Sequence, residues 1–318
     1  MTTLLDRREM PTSVSPAQWL RQTSAAVRVS FTWFGVRKAL TNEQKNQAAK
    51  PFGAEGDYLS ARKKLLDTKH AAYKEVTGVR GKVGAHWRSV TLPFPEAGMR
   101  LIRQHEIDGF NQQMRDYRTE LETAVAHLDE HYSELKAAAR RRLGNLFDAN
   151  DYPQALRGLF DLAWDFPNVE PPEYLLQLNP SIYEQERARV TARFEEAVQL
   201  AEQAFVAEFA KLIEHLPERL SDNGERKIFR DSAITNLTVF FDRFRQLNVR
   251  SNVDLDALVE RAQQIIHGVE PQVLRANETL RQHIATQLSQ VQSVIDGMMV
   301  DRPRRRIVRN HAVEGGES

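Results

Sequence analysis

The amino-acid sequence predicts a mainly α-helical protein, with a long antiparallel helical hairpin or coiled-coil stalk, a helical bundle and a small antiparallel β element. Apolar residues recur by threes and fours over residues 105–143 and 181–216, a spacing typical of long amphipathic helices. Apolar and polar residues alternate over 27–33, which indicates a half-buried strand. The length of 318 residues favours about two domains.

The N-terminal third is predicted to be a flexible arm, 1–26, followed by a basic α+β head, 27–104. The strand at 27–33 is expected to pair with a hairpin within 88–104, where two extended segments flank a Pro/Gly turn. A lone hairpin is marginal in water, so a further strand or helix must cover it. Helices are predicted between these strands at three places, namely from the N-cap Thr41 to Pro51, over 57–67 and over 73–87.

The remainder is predicted to be an acidic helical stalk or bundle, 105–300, with a proline-rich insert at 144–180. A continuous helix over 105–143 would be about 58 Å long. We expect it to pack antiparallel to the helix at 181–216. The insert contains a candidate strand at 159–166, further helices are predicted at 231–248, 254–267 and 270–299, and a disordered basic tail occupies 301–318.

Charge is segregated along the chain although the formal net charge is only +1. Residues 1–104 carry 18 Lys and Arg against 8 Asp and Glu, whereas residues 105–300 carry 21 against 32. The tail is basic again, with 5 against 3. This distribution predicts contact with a polyanion, or contact between the basic head of one copy and the acidic body of another.

Composition excludes several classes of function. The chain has no cysteine, which excludes disulfides, thiolate nucleophiles and cysteine-ligated metal centres. It contains no apolar segment of the roughly 20 residues that a membrane span needs. The N-terminal sequence MTTLLDRREMPTS lacks an apolar signal core, so we expect a cytoplasmic protein without membrane insertion.

One segment matches a metal-site pattern. His127-Leu128-Asp129-Glu130-His131 fits H-x-x-E-H, in which two histidines one helical turn apart bind zinc and the glutamate acts as a base. The pentad flanks an apolar stripe of a long helix and has no evident third ligand. We therefore expect a solvated helix edge and no cofactor, with a zinc hydrolase at His127, Glu130 and His131 as the third alternative.

Basic residues interleaved with aromatic ones make the head a candidate polyanion interface. Such a pattern can follow a phosphate backbone and stack bases. The glycine-rich segment 78–84 carries two of these cations, although it lacks the Walker A spacing and is equally consistent with a helix. The candidate residues are Arg62, Lys63, Lys64, Arg80 and Lys82 in the head and Arg304, Arg305 and Arg306 in the tail. The interleaved aromatic residues are Trp33, Phe52, Tyr58, Tyr73 and Trp87.

Three sequence blocks resemble a bacterial and phage family, a domain of unknown function often encoded beside MoxR-type AAA+ ATPases and von Willebrand factor A proteins. They are Leu40–Lys45, Thr91–Pro95 with Gly98–Ile102, and Trp164–Pro167. The blocks are turns and strands rather than catalytic motifs. The resemblance covers most of 27–300 and implies a class of protein partner but no active site.

The sequence therefore predicts a non-enzymatic adaptor or scaffold protein acting through protein–protein interaction. The resemblance adds a MoxR-type ATPase or a von Willebrand factor A protein as the expected partner. The alternative is a nucleic-acid-binding protein that uses the basic head and the arginine tail. The sequence leaves open whether the long helices pair within one chain or in a homo-oligomer.

Overall fold

The computed structural model describes residues 14–214, 216, 220, 232–269 and 271–300. These residues form two compact units, one up to Ala197 and the other from Val198. The boundary therefore lies inside a helix and not between the predicted head and body at 104/105. The tail 301–318 lies outside the described residues.

The first unit contains two antiparallel sheets. Its strands are β1 (Ser24–Thr32), β2 (Arg37–Ala39), β3 (Arg62–Lys64), β4 (Thr91–Pro93), β5 (Met99–Arg103) and β6 (Asp161–Asp165). The larger sheet has the order β4-β5-β1-β6, and β2 pairs with β3 in a separate ribbon. The predicted hairpin β4–β5 is confirmed, as is its pairing with β1. The strand predicted in the proline-rich insert is β6, which covers the other edge of β1.

Helices make up most of the chain. They are α1 (Pro16–Thr23), α2 (Asn42–Ala49), α3 (Ala71–Ser89), α4 (Ile107–Glu130), α5 (Tyr132–Leu143), α6 (Tyr174–Leu178), α7 (Pro180–Ile213), α8 (Ser232–Leu247), α9 (Val253–Ile266), α10 (Pro271–Ala276) and α11 (Glu278–Val300). No helix among the described residues combines the length and apolar character that crossing a bilayer requires.

The core of the first unit lies between α3, α4 and the larger sheet. Val76 and Val83 from α3 and Phe110, Leu121 and Leu128 from α4 are almost completely buried. Within the described residues, α4 packs mainly against α3 and also contacts β6. The predicted antiparallel pairing of 105–143 with 181–216, and with it the coiled-coil stalk, is not confirmed.

The second unit has an aromatic core. Phe205 and Phe209 from the C-terminal part of α7 pack against Phe240, Phe241 and Phe244 from α8, with ring centroids 5.0–6.3 Å apart. Helices α9 and α11 also pack against each other in this unit. Edge-to-face and offset pairs of this kind are favoured because the ring edge is positive and its face negative.

The predicted flexible arm is wrong for residues 14–26, while residues 1–13 lie outside the described part of the chain. Helix α1 begins there because Ser15 and Gln18 form a capping box and Pro16 occupies the first turn. Its Leu20 is fully buried. The chain then continues directly into β1.

Three predicted helices differ in the structure. Residues 57–67 form a short 3-10 turn and strand β3 instead of a helix. The 105–143 helix is divided at His131, a single residue between α4 and α5 whose backbone (φ −88°, ψ −3°) stays in the right-handed region. The Leu135 amide still donates a hydrogen bond of 3.0 Å to the His131 carbonyl. The 270–299 helix is interrupted at Asn277, because the Asn277 side chain accepts a hydrogen bond from the Leu280 amide and caps α11.

Candidate functional site

The β2–β3 ribbon concentrates five cations in six residues. Arg37 lies opposite Lys64, Lys38 opposite Lys63 and Ala39 opposite Arg62. Because successive side chains of a strand point to opposite faces, Lys38 and Lys63 share one face of the ribbon. Arg37, Arg62 and Lys64 share the other. We call these the inner and outer faces of the ribbon.

Both cations of the inner face pair with one carboxylate of the first unit. Lys63 is only 7 % exposed, and its Nζ lies 2.6 Å from Asp151 Oδ2. It also donates a hydrogen bond of 2.7 Å to the Leu146 carbonyl. Lys38 forms an ion pair with the same carboxylate. Lys63 is therefore a structural residue, and its prediction as a polyanion-binding residue is wrong because its charge is buried and paired.

Electrostatics favour the charged forms of Asp151 and Lys38. Burial on its own would raise the pKa of Asp151, but the hydrogen bonds from Lys38 and Lys63 outweigh it and hold that pKa below its ordinary value. The hydrogen bond to Asp151 in turn raises the pKa of Lys38. Asp151 is therefore ionised at neutral pH, and it anchors the ribbon through its ion pairs with Lys38 and Lys63.

The outer face presents three free cations. Arg37, Arg62 and Lys64 are exposed, and none of the hydrogen bonds or ion pairs in the described part of the chain involves their charged groups. Like charges directly opposite each other, such as Arg37 and Lys64, destabilise an antiparallel pair. A bound anion would relieve this repulsion.

The connection between β2 and β3 has few buried side chains but several local hydrogen bonds. Helix α2 begins with a capping box formed by Thr41 and Gln44, as the N-cap prediction required. The Gly56 amide donates a hydrogen bond of 3.0 Å to Asn46 Oδ1. A Cβ atom at Gly56 would lie 2.1 Å from the same oxygen, so only glycine fits there. We call residues 37–64, the ribbon with its connection, the finger.

Two aromatic side chains project from the finger. Phe52 is 85 % exposed and Tyr58 is 89 % exposed. The finger contains seven Lys and Arg against three Asp and Glu, so its formal charge is +4. Its acidic residues are Glu43, Glu55 and Asp57. The finger therefore combines exposed cations with exposed aromatic rings.

The other basic candidates of the head have partners. The glycine-rich segment 78–84 is helical, within α3, and does not form a phosphate-binding loop. The Arg80 guanidinium lies 5.1 Å from the ring centroid of Phe31 and 5.0 Å from that of Trp33. Lys82 Nζ lies 2.5 Å from Glu120 Oε1 on α4. These contacts link exposed cations of α3 to the rings of Phe31 and Trp33 and to α4.

The H-x-x-E-H histidines lie at the junction of α4 and α5. His127 Nδ1 lies 2.8 Å from Glu75 Oε2, and this hydrogen bond raises the pKa of His127. The ring centroids of His127 and His131 are 5.1 Å apart, and those of His131 and His70 are also 5.1 Å apart. Among the residues that the structure describes, no three His, Asp or Glu side chains are placed to hold a metal ion, and Glu130 joins no such group.

Sequence reasoning missed two residues that build the finger. Asp151 is separated from β3 by more than 80 residues, and no local pattern marks it as the anchor of the ribbon. Asn46 is one polar residue among many, although a glycine within a polar connection is a signal for close backbone approach. The tail candidates Arg304, Arg305 and Arg306 lie outside the described residues.

Comparison of the chain with protein-family models, with curated proteins and with solved structures finds no match.

Proposed function

We propose that this protein is a nucleic-acid-binding protein whose interface is the outer face of the finger. The observation that supports the proposal is the unequal treatment of the two faces of one ribbon. Asp151 forms ion pairs with both lysines of the inner face, whereas Arg37, Arg62 and Lys64 have no counter-charge among the described residues. The fold thus maintains three solvent-facing cations at a position where like charges repel each other.

Phosphate groups are the ligands that this surface fits. Two guanidinium groups provide planar forks of N–H donors that match phosphate oxygens, and the lysine adds a point charge. Each phosphate that a cation neutralises releases counterions, so binding weakens as salt rises. Sequence-independent binding with a Kd of micromolar or weaker near physiological salt is expected from so few contacts.

The test is fluorescence anisotropy with random single-stranded and duplex oligonucleotides between low and physiological salt. The triple variant Arg37→Gln, Arg62→Gln, Lys64→Gln should reduce the steepness of log K against log salt by about 2 on single strands and about 3 on duplex. The matched control is Lys74→Gln, Arg141→Gln, Lys211→Gln. It removes the same charge from exposed residues outside the finger and should leave the salt dependence nearly unchanged.

Two results would refute the proposal. One is the absence of binding by the wild-type protein at low salt. The other is equal loss of affinity in the finger variant and in the control, which would show that only the net charge matters. The tail arginines are tested separately, by Arg304→Gln, Arg305→Gln, Arg306→Gln in the full chain.

A second candidate function is the adaptor role, which is supported by exposed apolar side chains outside the finger. Tyr174, Leu178 and Ile182, around α6 and the start of α7, are 60 %, 75 % and 43 % exposed. Several exposed large apolar side chains within one short segment are a feature of many protein-interaction sites. The family resemblance implies a MoxR-type ATPase or a von Willebrand factor A protein as the partner.

The adaptor role predicts salt-resistant co-purification with such a partner from a host that encodes one. Leu178→Ser with Ile182→Ser should weaken it, and the finger variant should not. Unchanged co-purification in the Leu178/Ile182 variant would exclude this surface.

A further inference from the structure

Phe52 and Tyr58 are the two most exposed aromatic side chains in the described part of the chain. Neither ring contacts another aromatic ring or a cation there. Burying an aromatic side chain is among the larger hydrophobic gains available to a fold. The finger keeps two such rings exposed to water, so a ligand that covers them can gain this hydrophobic stabilisation.

Each ring stands on a hydrogen-bonded 3-10 turn. Phe52 ends the 3-10 turn Lys50–Phe52, which Gly53 closes in the left-handed conformation (φ 62°) with its amide bonded to the Lys50 carbonyl at 3.1 Å. Tyr58 ends the 3-10 turn that begins at Gly56, and the Gly56 amide is bonded to Asn46 of α2. The backbone at both aromatic positions is therefore hydrogen-bonded within short turns next to α2.

The charges around the rings divide the finger into two kinds of surface. Lys50 lies two residues before Phe52, and Arg62 lies four residues after Tyr58, a chain distance of at most about 14 Å. Glu55 and Asp57 lie between the two rings in the sequence. These carboxylates repel phosphates from the vicinity of the rings, but they do not repel the uncharged faces of nucleobases.

We propose that the finger binds single-stranded nucleic acid, with unpaired bases stacked on Phe52 and Tyr58 while the phosphates contact the outer face of the ribbon. This inference rests on the proposed function and adds the class of ligand. In a duplex the base faces are covered by neighbouring base pairs, so the rings would add nothing to duplex binding. Stacking on an aromatic side chain tolerates any base, because every base has a π-face.

The experiment compares three fluorescent probes of equal length: a mixed-sequence single strand, its duplex, and an abasic single strand that keeps the phosphates but lacks the bases. Phe52→Ala with Tyr58→Ala should lower affinity for the single strand by about 20-fold or more, since each stacked base contributes at least about 5-fold. Affinity for the duplex and the abasic strand should stay within about twofold. Phe52→Trp with Tyr58→Phe retains two rings and should keep most of the single-strand affinity.

The outcomes separate this inference from the proposed function. If the double alanine variant binds the single strand as tightly as wild type while the Arg37/Arg62/Lys64 variant loses binding, the stacking inference is wrong and the proposed function stands. If the wild-type protein binds none of the probes at low salt, both fail. A vesicle of anionic phospholipid serves as a fourth probe. Loss of vesicle binding in the alanine variant without loss of single-strand binding would assign the rings to a membrane surface and overturn the inference.

Both exposed positions tolerate alanine without loss of packing, so the variants should unfold at the wild-type temperature. An equal loss of affinity for all three probes in a variant with a lowered melting temperature would point to a disordered finger. In that case the single variants Phe52→Ala and Tyr58→Ala are measured with the same three probes to distinguish stacking from a disordered finger. A single substitution that retains the wild-type melting temperature and still lowers only single-strand affinity supports stacking, and one that lowers all affinities equally overturns it.

Discussion

Asp151 determines which cations of the ribbon are free. Its carboxylate is almost completely buried and forms ion pairs with Lys38 and Lys63 on the inner face. The run Arg62-Lys63-Lys64 looks like one basic cluster in the sequence, but strand alternation sends its middle residue inward. Single residues of this run therefore have opposite roles, one structural and two available to a ligand.

The first prediction concerns the anchor. Asp151→Asn removes the counter-charge of the buried Lys63 and should lower the free energy of unfolding by about 3–5 kcal/mol, the cost of leaving a buried charge uncompensated. The double variant Asp151→Leu, Lys63→Met should be much closer in stability to the wild type than Asp151→Asn is, because the charges of both residues are then absent. Urea unfolding measures both effects.

The same ion pairs predict a pH dependence. Because the folded-state pKa of Asp151 is lowered from 3.8, its contribution to stability is fully present above that value. It is lost as the pH falls through the lower folded pKa. The difference between wild type and Asp151→Asn should therefore shrink below about pH 4. A difference that is constant from pH 7 to pH 3 would show that the carboxylate does not act through its charge.

At the scale of elements, glycine has two different roles in the first unit. Gly78 and Gly81 lie in the middle of α3, and a Cβ atom at either position would meet no atom within 4 Å. Gly56 lies against Asn46, where a Cβ atom would lie 2.6 Å from the backbone nitrogen. The first two positions have room for a side chain and the third does not.

The second prediction follows from this contrast. Gly78→Ala and Gly81→Ala should each stabilise the protein by about 0.5–1 kcal/mol, because alanine loses less backbone entropy in a helix. Gly56→Ala should destabilise the finger and weaken oligonucleotide binding. Thermal unfolding of the three variants measures the signs, and destabilisation by Gly78→Ala would contradict the helical assignment of this segment.

Elements with an apolar pattern could be predicted from the sequence. Val27, Val29 and Phe31 alternate with polar residues and identify β1, and the spacing of Phe205 and Phe209 identifies the helix that carries them. Strand β3 has no such pattern, because its three residues are all cationic and their direction is set by the distant Asp151. The helix interruption at His131 could not be predicted, because neither proline nor glycine lies near it in the sequence.

The candidate site could be predicted only in part. Arg62, Lys64, Phe52 and Tyr58 follow from composition, since basic residues interleaved with aromatic ones are typical of nucleic-acid surfaces. Which cations of the ribbon are paired with Asp151 and which are unpaired depends on tertiary contacts that the sequence does not show. The same holds for the partners of Arg80 and Lys82, two exposed cations that α3 places near aromatic rings and a glutamate.

At the scale of the whole molecule, each compact unit has its own hydrophobic core. The first centres on side chains such as Val76 and Leu128, and the second on the phenylalanine cluster around Phe240. A separate core is the usual condition for a unit to respond on its own to a destabilising substitution. The finger belongs entirely to the first unit.

The third prediction uses this separation. Phe240→Ala should destabilise the second unit by about 3–5 kcal/mol, the typical cost of removing a buried phenylalanine ring. Amide hydrogen exchange should accelerate in α8, while β1 and β5 keep their protection and oligonucleotide affinity is unchanged. Leu128→Ala is the reciprocal control in the first unit. Equal acceleration in both units after Phe240→Ala would show that they unfold together.

The Gly56–Asn46 hydrogen bond also has a kinetic consequence. A binding segment that is already ordered does not have to fold against its ligand, so little conformational entropy is lost on contact. Association is then limited by electrostatically steered diffusion, which salt slows, rather than by a rearrangement that salt would leave unaffected. In the proposed complex the covered apolar surface is that of the Phe52 and Tyr58 rings and of the bases stacked on them, so the heat-capacity change on binding should be small.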